Sequence, residues 1–211
     1  MTNDLFADAI TSEEELRAIY EPPAPLAQRK EIQSIDEMAR ALIACSPLVF
    51  LASADADGRC DVTPRGGPAG FVSVLEDGTI VIPDATGNRR IDTLRNVVRT
   101  GRIGLIFVIP GRGQSLRVNG RACVSASKDL LERVTHVGKA PRSALVVEAD
   151  EVYAHCPKAF VRSGVWKPET WLPSDAQPHP AKVSHAHIGD PSISVEQIEQ
   201  DQRDSLLYRL A

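Results

Sequence analysis

The sequence predicts a mainly β domain, an antiparallel barrel that is closed or partly open and carries helices at its periphery. Three observations predict it. Six or seven short segments rich in apolar and β-branched residues run between Leu48 and Val152. Tight turn signals separate them, among them Asp55-Ala56-Asp57-Gly58 and Glu76-Asp77-Gly78. The few helical stretches do not alternate with the strands as βαβ units would require.

Each element has its own local signal. Residues Ser12 to Glu15 have capping-box form, and Leu16, Ile19 and Tyr20 supply an apolar stripe behind them. Glu21-Pro22-Pro23-Ala24-Pro25 then stops the helix and forms a stiff linker. A second capping box, Ser34 to Glu37, opens a helix through about Cys45, with Ile35, Met38 and Leu42 as its buried face. Segment 48–54 is extended, and 59–63 returns after the Asp55 turn. Segments 71–75 and 79–83 form the next hairpin. Ile91, Leu94 and Val98 follow helical spacing, and Gly101 ends that helix. Segment 102–109 is a strongly apolar strand, turned by Pro110-Gly111-Arg112-Gly113 into a long strand over 115–125. Ser127 caps a helix through Val134, and 144–152 completes the strand set. Stretch 173–191 is rich in Pro, Ser and His and reads as an irregular arm, followed by an amphipathic helix over about 195–210. Three regions are therefore expected: an N-terminal extension (1–33), the barrel domain (34–172) and a C-terminal arm with a helix (173–211).

The chain has 211 residues and a formal net charge of -4, which disfavours general binding to nucleic acid or an anionic membrane surface. The four cysteines, Cys45, Cys60, Cys123 and Cys156, are far apart and form no C-x-x-C pair. Reduced thiols in the cytoplasm are the expectation, with no disulfide framework and no metal site. The first residues lack a signal-peptide pattern, and the longest apolar run, 103–109, is too short to span a bilayer.

Four segments carry chemistry. Pro83-Asp84-Ala85-Thr86-Gly87-Asn88-Arg89-Arg90 leaves a strand and enters a helix. A helix start offers unpaired backbone N–H groups and partial positive charge, and two arginines add donors that fit phosphate oxygens. This is either a phosphate site or an exposed helix start with solvated arginines. Asp61-Val62-Thr63-Pro64-Arg65-Gly66-Gly67-Pro68 ends a strand with the residues of an edge or bulge, where a flat ligand meets backbone, or of a plain loop. In Gln114-Ser115-Leu116-Arg117-Val118-Asn119, alternation puts Ser115, Arg117 and Asn119 on one face, facing ligand, partner or solvent. In the run from His155 to Trp166, Lys158 and Arg162 stand i, i+4, and Trp166 can cover an aromatic ligand or fill a core.

Taken in order, these segments resemble the pyridoxamine 5'-phosphate oxidase-like flavoproteins over roughly residues 35–170: T-P-R-G, then I-P-D-x-x-G-N-R-R, L-R-V-N-G-R-A and H-C-x-K-A-x-x-R-S-x-x-W. The resemblance implies the antiparallel FMN-binding split-barrel fold. It implies FMN as cofactor, held by Val62, Thr63, Pro64 and Arg65, by Asp84, Asn88, Arg89 and Arg90, by Gln114 and Ser115, and by Lys158, Arg162 and Trp166. It also implies a homodimer with FMN at the subunit interface and an FMN-dependent oxidoreductase acting on a small molecule. Two other readings stand beside it: a non-enzymatic flavin-binding or sensing protein, and a haem-binding split barrel using the tail histidines His179, His185 or His187. No catalytic acid or base is evident. The sequence departs from pyridoxamine 5'-phosphate oxidase itself, with T-P-R-G-G where that enzyme has an R-x-x-x-L-K-like strand, so vitamin B6 is not the expected substrate.

Overall fold

The computed structural model describes residues 6–84, 87, 89–134 and 139–208. The chain divides after Glu31 into two compact units. In the first, α1 (Glu13–Ile19) begins with the expected capping box, in which Glu15 N–H donates to Ser12 Oγ at 3.1 Å and Ser12 N–H to Glu15 Oε2 at 3.3 Å. Pro25, assigned by sequence to the linker, instead opens a short helix, α2 (Pro25–Arg29). A proline fits there because the first helical position needs no N–H donor.

The second unit begins with α3 (Glu37–Ala44), whose cap is Asp36 and not the expected Ser34. The Asp36 carboxylate accepts the Ala39 N–H at 2.7 Å. Seven strands follow, interrupted by helices: β1 (Leu48–Ala54), β2 (Cys60–Gly66), β3 (Ser73–Val74), β4 (Ile80–Pro83), α4 (Asp92–Thr100), β5 (Arg102–Val108), β6 (Ser115–Ser125), α5 (Lys128–Leu131) and β7 (Ala144–His155). They form one sheet in the order β2-β1-β5-β6-β7-β4-β3, with every pairing antiparallel.

The sheet is curled. Val49 and Leu51 of β1 share a single core with Ile80 and Ile82 of β4, although four strand spacings, about 19 Å on a flat sheet, separate those strands. Phe107, Val118, Leu145, Val147 and Val152 fill the space between, and Ile43 of α3 joins them. The bend has a local cause. The β6–β7 register shifts between Asn119 and Gly120, and bulges bend and twist the strands that carry them. Gly120 is required there, because a Cβ would stand 2.0 Å from the Glu148 carbonyl oxygen. Among the described residues the two edges of the curled sheet, β2 and β3, are not paired with each other, which leaves a split barrel with α3 and α4 packed against it.

The chain continues into α6 (Lys158–Ser163), then α7 (Pro180–Ile188) and α8 (Val195–Tyr208). Helix α7 lies inside the stretch read from sequence as irregular. Pro180 occupies its first turn, and Gly189 ends it with φ +66°. Ser194 and Gln197 form a reciprocal cap at the start of α8.

Candidate functional site

The site is built where the edge strand β2 passes under α4. Alternation along β2 divides the predicted residues. Thr63 and Arg65 are half-buried and register with the buried Leu51 and Val49, whereas Val62, 68% exposed, and Pro64 face outward. Asp61 shares the inner face with Thr63 and Arg65. The Arg65 guanidinium donates to Thr63 Oγ1 at 2.9 Å and to the Pro64 carbonyl at 3.0 Å, which keeps it along its own strand.

Helix α4 covers this face with an unexpected set of residues. The predicted stripe placed Ile91, Leu94 and Val98 inward, but Ile91 is the N-cap and 51% exposed, and Val98 is 73% exposed. The buried positions are Thr93, Asn96 and Val97. Two of the three are polar because β1 and β2 offer polar partners. Asn96 Nδ2 donates to Ser53 Oγ at 3.0 Å, and Thr93 Oγ1 donates to Asp61 Oδ2 at 2.6 Å. Of the predicted stripe, Leu94 does pack against the core beside Val97, but Thr93 and Asn96 make the rest of this face polar, which apolar periodicity passes over.

The turn entering α4 carries Arg89 and Arg90. Arg89 has φ +63°, the left-handed region that costs a non-glycine residue about 1 kcal/mol. Arg90 Nε donates to Asp92 Oδ2 at 2.9 Å, and Arg95 approaches the other oxygen of Asp92 at 3.7 Å. Asp92 thus sits in the first turn, where an acidic residue complements the helix dipole, and steadies one of the two arginines. Asn88 lies outside the described residues. Asp84, leaving β4, donates its N–H to the Ser143 carbonyl at 2.9 Å. Burial pushes its carboxyl above the usual range, and the positive charge of Arg65 partly opposes this. The charge of Arg65, on the edge strand β2, thus reaches Asp84, which follows β4, the strand next to the other edge.

The remaining predicted residues form a second group. Ser115 is buried at the start of β6, opposite His155, and Gln114 precedes it, exposed. Lys158 and Arg162 are exposed on α6. Trp166 is held to the turn before β6 by its Nε1, which donates to the Arg112 carbonyl at 2.9 Å, and its ring packs against Phe160 at 5.7 Å. Gly113 admits Pro157 beside it, since a Cβ there would lie 2.8 Å from the proline ring. The structure thus brings Gln114, Ser115 and the α6 segment to one end of the sheet. It does not bring them to β2, which is three strand spacings from β6, about 14 Å along the sheet. Sequence reasoning quoted Asp61 without assigning it a role and passed over Thr93. The alternation of β2 and the i, i+3, i+4 spacing of Thr93, Asn96 and Val97 were the signals.

Outward, Phe50 of β1 registers with Pro64 on one side and Ile106 on the other, and Ala52 registers with Val62. All five are exposed, so an apolar strip runs across three strands. Beyond it lies a charged border: Arg102 pairs with Asp150, Arg121 with Glu148, and Asn119 donates to Glu151.

The structure is thus an antiparallel split barrel that carries two arginines in the turn entering α4. The chain belongs to the pyridoxamine 5'-phosphate oxidase family, whose family model matches residues 35–156. No curated protein matches it. Among solved structures it is similar to HupZ of Group A Streptococcus, at 20% identity and TM-score 0.45, covering 57% of this chain and 93% of that one. It is also similar to a pyridoxamine 5'-phosphate oxidase-related, FMN binding protein of Nostoc punctiforme, at 11% identity and TM-score 0.41, covering 56% and 78%. A third is a general stress protein 26 from Bacillus anthracis, at 13% identity and TM-score 0.37, covering 54% and 88%. Among the described residues no helix is long and apolar enough to cross a membrane.

Proposed function

We propose that this protein binds FMN and acts as an FMN-dependent oxidoreductase on a small organic molecule. The observation that carries the reading is the cationic turn at α4, where Arg89 and Arg90 stand at a helix start and Arg65 lies on the adjoining inner face of β2. This donor set fits a phosphate. Guanidiniums donate in pairs to its oxygens, and the first turn of a helix adds unpaired N–H groups. Asn88 and Asp84 add to the phosphate site in this reading, and the segment Val62-Thr63-Pro64 offers the backbone of the β2 edge to the isoalloxazine, with Thr63 on its inner face and Val62 and Pro64 outward.

The second group, Gln114, Ser115, Lys158, Arg162 and Trp166, completes the pocket from another subunit. Two facts support a homodimer with FMN at its interface: the separation of the two groups within one chain, and the exposed strip through Phe50, Ile106 and Val62. An isologous contact covers such a strip on both copies at once. FMN supplies the electron-transfer chemistry when bound. This chain's residues anchor the phosphate, fix the ring's orientation and, through Trp166, limit water at the ring. Lys158 and Arg162 add positive charge on that side.

The test is direct. The purified protein should carry a flavin visible spectrum or acquire one when FMN is added; a colourless protein that gains none refutes the cofactor. Reduction by NADH or NADPH at a useful rate supports an enzyme. Flavin that binds but never turns over with any donor supports a carrier or sensor instead.

A further inference from the structure

We propose that Asp61 is a positioning residue of the anion site, acting through Thr93. The inference rests on the flavin reading and deepens it. Asp61 occupies the inner face of β2, an edge strand with a single neighbour, and registers with the buried Ser53. Its Oδ2 accepts the Thr93 hydroxyl at 2.6 Å, and Thr93 is only 3% exposed. The bond therefore joins the edge strand to the first turn of α4, where the helix presents its unpaired N–H groups. The carboxylate also acts on Arg90. The hydrogen bond and charge of Asp92 favour the charged guanidinium most, and Asp61 adds to that attraction from the other element.

An acidic group beside a phosphate site would ordinarily be a liability, since like charges repel. Electrostatics alone predicts that removing the Asp61 charge tightens FMN binding. Positioning predicts the opposite, because the first turn of α4 would lose the charge-assisted bond that positions it. The sign of the change therefore separates the two. Riboflavin, which lacks the phosphate, separates a phosphate-specific role from a general structural one.

The experiment measures dissociation constants for FMN and riboflavin, by flavin fluorescence quenching, on the full-length wild type and on Asp61→Asn, Thr93→Val and Thr93→Ser. FMN should weaken about fivefold or more in Asp61→Asn and in Thr93→Val, with riboflavin unchanged within about twofold and Thr93→Ser close to wild type, as expected for loss of one charge-assisted bond. FMN binding that tightens or stays level in Asp61→Asn overturns the inference. Equal weakening of FMN and riboflavin overturns it too, as does a Thr93→Val variant that binds like wild type. A wild type that binds FMN no better than riboflavin refutes the phosphate reading itself, a different result from any of these.

Discussion

The indole nitrogen of Trp166 donates to the backbone carbonyl of Arg112 at 2.9 Å, fastening the segment after β7 to the turn before β6. Trp166→Phe keeps an aromatic ring for Phe160 and removes the donor. The loss should cost about 1 kcal/mol, lowering the melting temperature by roughly 2–4 °C for a domain of this size. A thermal melt followed by circular dichroism checks it, and an unchanged midpoint would mean that this bond carries no net stability.

Arg89 offers a way to separate stability from binding. Arg89→Gly relieves the left-handed backbone and should leave the fold no less stable. The same change removes a guanidinium from the proposed anion site, so FMN affinity should fall. Arg89→Ala with Arg90→Ala should cost about 3 kcal/mol of FMN binding, roughly a hundredfold, with riboflavin affinity unaltered. Isothermal titration with each ligand decides it.

Asp84 gives a pH signature. Its carboxyl is raised above the ordinary value of 3.8, chiefly by burial. A raised folded-state value means that the protonated form is the better fit to the fold. The favourable contribution is thus complete below the unfolded value and is lost as pH rises through the folded one. At pH 7 the wild type holds a poorly solvated charge, which Asp84→Asn removes. The variant should melt at a higher temperature than wild type at pH 7, and the gap should close as pH falls toward 3.8. A gap that widens on acidification would reverse the assignment.

The apolar strip is tested by charge. Ile106→Glu places a carboxylate beside Phe50 in the middle of it. If the strip joins two copies, the variant should elute as a monomer where the wild type elutes as a dimer, and it should bind FMN weakly. Light scattering coupled to gel filtration reads the mass, and equal masses would remove the strip from the interface.

Much of the barrel was legible because its strands obey period-two patterning and its turns carry Asp-Gly signals. The 55–58 and 76–78 turns fall where the sequence puts them, and Gly101 ends α4 with φ +65°. Three elements were not legible, each for a physical reason. The inner face of α4 is polar, so the apolar residues Ile91 and Val98 marked the wrong side. The cap of α3 is set by which carboxylate reaches the Ala39 N–H, and Asp36 does so while Ser34 fits the motif. Helix α7 hides among prolines, because Pro180 reads as a breaker unless it is known to open a helix. In the candidate site, Arg89, Arg90 and Arg65 stand out as candidates from local sequence alone. Their relation to Asp61, Thr93 and Asp84 does not, since it depends on which helix face meets β2 and on the curl that brings β4 round.

Pro64 stands in an edge strand, one of the few places in a sheet where a missing N–H is tolerated. It interrupts the row of donors that an exposed edge would otherwise offer to a neighbouring chain. Two copies of this protein are thereby discouraged from joining strand to strand into an extended ribbon. In the proposed dimer, contact would instead run through the broad side of the sheet, where an isologous pairing closes on itself and assembly stops at two chains.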